Sequence, residues 1–207
     1  MWALVTDNTI TKIINNPKGL VIDNIQYSRN IFSFRWSNEE REAIGLYEVV
    51  FNNTKKKDEE YYINTNQSFA FADGVVTASF GSATAKAHAD TLFTEDDEDN
   101  GLGTEGEVKV EGLKTQKIRT VKQQVASILQ NTDWYIVRKA DANTAVPSAI
   151  TTFRAAVRTK GAAMETLITN ASNTPAIETL YTYVNTADEG DPEVLERPLG
   201  EFPVLGS

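Results

Sequence analysis

Two observations predict an α+β fold, and a third divides it. Residues 1–82 hold short β-branched and aromatic runs separated by two-residue turn signals, the pattern of an antiparallel β-module. Beyond Leu113, apolar residues recur every three or four positions, the pattern of amphipathic helices. Between them lie an alanine-rich run and an acidic, glycine-containing stretch. The 207 residues therefore read as four segments. An antiparallel β-module with one short helix covers 1–82, and an alanine-rich helix with an acidic linker covers 83–112. A helical module covers 113–185, and a Pro-rich extended tail covers 186–207.

The β-module follows from its turns. Asp7-Asn8, Asp23-Asn24 and Asp73-Gly74 each sit between apolar runs. Short Asx side chains and glycine tolerate the positive φ of tight hairpins, so each pair predicts one. Phe69 and Phe71, then Val76, Ala78 and Phe80, alternate as strand residues facing one core. Ser37-Asn38-Glu39-Glu40 has the spacing of a capping box, with Trp36 before it and Gly45 after it to end a short helix. A strand resumes at Leu46–Phe51. Lys55-Lys56-Lys57-Asp58-Glu59-Glu60 compensates its own charge and reads as a solvated loop.

The second half reads as helix. Ala83, Ala85, Ala87 and Ala89 favour helix by propensity. Ile118, Val121, Val125 and Ile128 fall on one face of a longer helix, which packs within its own module or against a partner helix. A second helix starts near Ser148, with Ile150, Phe153, Val157, Met164, Leu167 and Ile168 as its apolar face and Gly161 weakening its middle. Thr174-Pro175 predicts a third start, with Thr174 as N-cap and Ile177, Leu180, Tyr181 and Val184 along its face. Pro192, Pro198 and Pro203 then favour extended backbone. Phe202, Val204 and Leu205 become anchors on a partner-wrapping arm or tuck back on the same domain.

Composition closes several function classes. With no cysteine, disulfides and thiolate chemistry are excluded, and one histidine, His88, excludes multi-histidine metal sites. A net charge of −9 argues against a phosphate-backbone grip, so nucleic acid is not an expected partner. No segment approaches the ~20 apolar residues of a membrane span, and no basic region precedes Ala3-Leu4-Val5, so folding in a cytoplasm without membrane contact is expected. Gly101-Leu102-Gly103 lacks the residues of a phosphate loop, and His88 beside Asp90 lacks a nucleophile. No enzyme activity and no cofactor are expected. Trp2, Trp36 and Trp134 fit core positions better than a binding surface.

One metal hypothesis is specific enough to test. Asp96, Glu98, Asn100, Gly101 and Glu107 fall at positions one, three, five, six and twelve of an EF-hand-like frame. Calcium would use Asp96, Glu98, Asn100 and Glu107 as oxygen ligands. Glu98 is long for its position, and Val108, Val110 and Gly112 make a poor exiting helix, so the alternative is a solvated acidic linker.

A longer motif carries a resemblance. Leu129-Gln130-Asn131-Thr132-Asp133-Trp134 is followed, after a gap, by Pro147 and by Phe153-Arg154-Ala155-Ala156-Val157-Arg158. Over about residues 113–160 this resembles the Leu-x-x-Thr-Asp-Trp … Pro … Tyr/Phe-Arg-x-x-Leu/Val-Arg pattern of bacteriophage tail-fibre assembly and tail accessory proteins. The run Trp36-Ser37-Asn38-Glu39-Glu40-Arg41-Glu42-Ala43-Ile44-Gly45-Leu46-Tyr47 resembles amino-terminal modules of phage tail proteins more weakly. The resemblance implies a helix ending at Thr-Asp-Trp, a loop, and a second helix bearing the aromatic-Arg-x-x-x-Arg face. On the residues, Trp134 would fasten loop to hairpin, and Phe153 and Val157 would share one face. Arg154 and Arg158 would share the next, to pair with a neighbour's carboxylates or to brace their own helix pair. Trp134, Phe153, Arg154, Arg158 and Phe202 are thus the expected partner-binding residues. The implied role is non-enzymatic, docking on a tail-fibre or baseplate protein, with a homo-oligomer as a further option. The chain would be made in the host cytoplasm and either remain in the virion tail or act as an assembly chaperone that leaves.

Overall fold

The computed structural model describes residues 1–206. The chain is α+β, with a β-rich amino-terminal part followed by helices. Contacts divide it into two compact units, Met1–Thr84 and Ala85–Ser207.

The first unit is built on β1 (Trp2–Thr6), β2 (Thr9–Ile14), β3 (Leu20–Ile22) and β4 (Ile25–Tyr27), followed by helix α1 (Asn38–Glu42). Then come β5 (Leu46–Asn52), β6 (Tyr62–Ile63), β7 (Ser68–Ala72) and β8 (Val75–Ser79), and β9 (Thr84–Ala85) lies at the join. The three hairpins form where the turn pairs stand. Asp7 and Asn8, Asp23 and Asn24, and Asp73 and Gly74 all have φ between +47° and +75°. The main sheet runs β2-β1-β5-β8-β7. It is antiparallel except at β5 and β8, which pair in parallel. The expected all-antiparallel module is corrected at that pair. β8 enters beside β5 only after the long connection through 53–67 and the β7 strand, and this sets it in the same direction.

Alternation along β1 and β5 supplies a core on both sheet faces. Ala3, Val5, Val49, Val76 and Ala78 pack on one side. Ile14, Leu20, Ile22, Ile31 and Leu46 pack on the other, with Trp2 and Trp36 against them. The Ser37 hydroxyl accepts from Glu40 N–H, and the Glu40 carboxylate accepts from Ser37 N–H at 2.7 Å, completing the capping box. Arg41 is buried beside it, donating to the Ile31 and Ser33 carbonyls and stacking on Trp2. Gly45 follows at φ +76°, with the Val5 carbonyl where a Cβ would stand. Residues 55–60 are exposed, as a charged loop should be.

The second unit starts with a correction. Residues 83–93 form no helix: they run extended through β10 (Thr91–Leu92). Extended backbone leaves carbonyls free for later helices. Ala87 and His88 carbonyls accept from Leu113 and Lys114 N–H, and the Lys86 carbonyl accepts from the Thr174 hydroxyl at 2.8 Å. Tertiary hydrogen bonding here overrides alanine's helix propensity. Helix α2 (Glu95–Asp99) and β11 (Val108–Val110) complete an excursion closed by β10–β11 pairing.

Helices α3 (Leu113–Gln130), α4 (Asp133–Ala142), α5 (Ser148–Asn170) and α6 (Thr174–Tyr181) follow. The expected loop after Trp134 is mostly α4, which ends at Asn143 in the left-handed conformation. Val121, Met164, Ile168 and Leu199 form the core, with Ile118, Val125 and Phe202 packed on it. Leu167, expected on the apolar face of α5, is 39% exposed. Gly161 admits a close approach of helices: a Cβ there would lie 2.5 Å from Val125 Cγ2.

Two boundary readings also change. The N-cap of α6 is Asn173, whose side chain accepts from Ala176 N–H, and this frees Thr174 for Lys86. Val184 lies beyond that helix, in β12 (Val184–Asn185), which pairs with β13 (Leu195–Glu196). The tail is therefore not wholly extended. Its last part tucks back: Leu199 N–H donates to the Leu180 carbonyl, and Leu199 is 2% exposed.

Candidate functional site

The residues that carried the family resemblance meet at the junction of α3, α4 and α5. Arg154 is buried on α5. Its Nη1 donates to the Leu129 carbonyl at 2.9 Å and to the Thr132 hydroxyl at 2.6 Å, and lies 2.8 Å from the Asp133 carboxylate. The Thr132 hydroxyl in turn donates to the Leu129 carbonyl. One guanidinium thus joins the Thr132 N–H on a carbonyl at the end of α3 and pairs with the side chain of the first residue of α4. For Arg154 this is the bracing alternative, and it corrects the expectation that Arg154 binds a partner. Arg154 faces inward and locks the hairpin, while Arg158, one turn on, is exposed.

Trp134 is corrected as well. It is not the buried anchor of the hairpin: it is 51% exposed on the first turn of α4. Its ring lies 3.7 Å from the Tyr135 ring, and the Arg138 guanidinium stacks 4.8 Å from its centroid. The α4 helix presents Ile136 and Val137 to solvent besides. Next to it lies an open groove of about 560 Å³, walled by Trp134, Tyr135, Phe153, Phe202, Val204 and Leu205. Phe153 and Phe202 are half-buried at the groove, and Val204 and Leu205 are exposed at its rim. Of the five expected partner-binding residues, the groove unites Trp134, Phe153 and Phe202. Arg154 lies beneath it as a brace. Arg138 and Tyr135 were missed, although Arg138 stands four positions after Trp134 and three after Tyr135, on the same helical face.

The calcium frame does not assemble. Asp96 and Glu98 are wound into α2, so alternate residues diverge instead of converging. The Glu98 carboxylate accepts from Glu105 N–H, and the Asn100 amide donates to the Asp96 carbonyl. Glu107 closes the turn through its backbone, its carbonyl accepting from Phe93 N–H. Among the described residues no group of three or more His, Asp or Glu side chains is placed to hold a metal. Asp97 has a structural task. The Lys109 ammonium at 2.7 Å, then the Thr94 N–H, hold its carboxyl below the usual range.

Asp90 also leaves its expected setting. Its carboxylate accepts from Gly112 N–H at 2.6 Å and from the Thr115 hydroxyl at 2.8 Å. Those bonds, the Gly112 N–H first, lower its pKa. Glycine has no side chain with which to cap α3; the Ala87 and His88 carbonyls take the first helical N–H groups, and Asp90 takes the Gly112 N–H from outside the helix. Near it, His88 Nδ1 is buried without a hydrogen-bond partner. Among the described residues no helix is long and apolar enough to cross a membrane. No protein-family model, curated protein or solved structure matches this chain.

Proposed function

We propose that this chain is a non-enzymatic bacteriophage tail protein that docks on a tail-fibre or baseplate component through the α4 face and groove of its helical unit. The observation that carries the docking role is the solvent-facing set Trp134, Ile136 and Val137 beside an apolar groove. Large apolar side chains left half or more in solvent beside a groove are what protein interfaces desolvate on binding. The phage assignment rests on the resemblance of residues 129–134 and 153–158. It gains support from the meeting of Leu129, Thr132, Asp133 and Arg154 in one network, which gives that spacing a physical purpose.

Docking works by burial of the aromatic face, with Arg138 and the exposed Arg158 setting register against carboxylates. Particles of the phage that encodes the chain test the role by quantitative mass spectrometry. Stoichiometric presence with the tail is the expected result for a virion subunit. Absence from particles, together with capture on the unassembled fibre, assigns an assembly chaperone. Absence from both overturns the reading.

A further inference from the structure

We propose that the free edge of β7 pairs antiparallel with β7 of a second copy, across a two-fold axis at Ala70. The inference goes beyond the tail assignment, does not depend on it and uses none of the α4 groove. It rests on a difference between the two end strands of one sheet.

The main sheet ends in β2 on one side and β7 on the other. An unpaired edge invites another strand, and folded chains guard such edges with charge, proline or a bulge. β2 is guarded twice. Lys12 is exposed along it, and its register on β1 slips between Leu4 and Val5, which leaves Thr11 as a bulge. β7 has none of these guards. It reads Ser68-Phe69-Ala70-Phe71-Ala72, its register on β8 is unbroken, and no charged residue stands between Tyr61 and Ala72. β2 comes near β7, and Ile10, Ile13, Phe69 and Phe71 pack on the same core, but no ladder joins the two strands.

The register fixes which backbone groups β8 leaves unused. Ala72 and Val75 close the two-residue turn at Asp73-Gly74, so they form a hydrogen-bonded pair. Pair type alternates along an antiparallel ladder, so Ala70 with Thr77 and Ser68 with Ser79 are hydrogen-bonded pairs too. The N–H and C=O groups of Phe69 and Phe71 therefore point away from β8, toward the free edge.

That edge suits a copy of itself. With the axis at Ala70, Phe69 exchanges both backbone bonds with the partner's Phe71, and Phe71 does the same with the partner's Phe69. The two rings of each pair lie on the core-facing side of the strand, and aromatic cross-strand pairs add to the ladder. Ala70 then meets the partner's Ala70 as a non-hydrogen-bonded pair, where Cα atoms approach to ~4.5 Å. A residue at that crossing has to be small, and Ala70 is an exposed methyl group. A two-fold interface sets each residue against its mirror position. The strand reads nearly the same in both directions and carries no charge, so no position meets a like charge or an unmatched bulk.

Sedimentation velocity on the full chain tests this, with ellipticity as the control for folding. The expected result is a concentration-dependent dimer. Ala70→Lys and Ala70→Glu each set like charges against each other at the axis and should weaken it by about tenfold or more, whereas an equimolar mixture of the two should regain it. The chain has no cysteine, so a second readout is clean and reports the register. Ala70→Cys should form a disulfide between copies, because ~4.5 Å between Cα atoms is within disulfide reach. Ala72→Cys should not, since a rise of ~3.4 Å per residue sets the two copies of that residue about 14 Å apart. If a charged variant loses its ellipticity, the cysteine comparison decides alone. A chain that stays monomeric at every concentration overturns the proposal and leaves the edge to a strand of another protein. A dimer indifferent to both charged variants, or a disulfide formed as fast by Ala72→Cys as by Ala70→Cys, overturns it equally.

Discussion

In the amino-terminal unit the chain reverses and caps itself with residues adjacent in sequence, whereas in the carboxy-terminal unit both ends of α3 are met by side chains 22 or 25 positions away and the start of α6 is tied to a carbonyl 88 positions away. Asp7-Asn8 turns its own hairpin, and Ser37 with Glu40 caps its own helix. By contrast α3 begins on Asp90 and ends on Arg154, and Thr174 at the start of α6 reaches Lys86. The difference teaches where each unit is vulnerable. Damage to the β-unit should follow backbone conformation, and damage to the helical unit should follow single polar contacts between distant segments.

The sharpest break in that contrast is Arg154→Met. It removes the guanidinium's bonds to the Leu129 carbonyl and the Thr132 hydroxyl and leaves those groups their bonds to each other and to the Thr132 N–H. Asp133 is half exposed and keeps its hydration, so the loss comes mainly from those two oxygens. A destabilisation of about 3 kcal/mol is expected in urea unfolding followed by helix ellipticity. On the other side, Gly45→Ala places a Cβ against the Val5 carbonyl at positive φ. It should cost about 2 kcal/mol, read in the unfolding of the tryptophan-containing β-unit.

Gly161→Ala sets two effects against each other. Helix propensity alone predicts a gain of about 1 kcal/mol. The contact with Val125 predicts a loss of about 1–3 kcal/mol, as overpacking does. Packing should win, and the sign should reverse in a Val125→Ala background. A stabilised single variant would show that α3 and α5 can part without penalty.

Asp90→Ala should lower the melting temperature at neutral pH and leave α3 frayed at its start. Because the folded carboxyl has a lowered pKa, its contribution is present above about pH 4 and fades as pH falls through the folded value. The wild-type and variant melting curves should therefore converge in acid; curves that stay parallel would remove Asp90 as a cap. The smallest effect is expected from Trp134→Ala, within about 0.5 kcal/mol of wild type, since the ring is half in solvent. A large loss there would restore the indole as an anchor of its own fold.

The legibility of the molecule follows the same division. All three hairpins, the capping box and the extents of α3 and α5 could be read from spacing, because each depends on backbone preference or periodicity within a few residues. The alanine run misled: its propensity is helical, and nothing within it records that its carbonyls receive α3 and α6. The groove was half legible. Trp134, Phe153 and Phe202 stood out as large apolar residues, but burial separates an anchor from a docking face, and burial depends on segments far apart in the chain. Arg154 and Arg158 look alike in a helical pattern, and only the position of α4 sends one inward.

By itself, then, the order of residues determined the α+β class, the turns and the limits of α1, α3 and α5, since these are settled by φ preferences, capping and local periodicity. Tertiary structure alone decided the extended path of residues 83–93, the parallel pairing of β5 with β8, the capping of α3 by Asp90 and the exposure of Trp134. Each of those outcomes is a competition between a local preference and a contact with a distant partner, and such a partner becomes available only once the chain has folded.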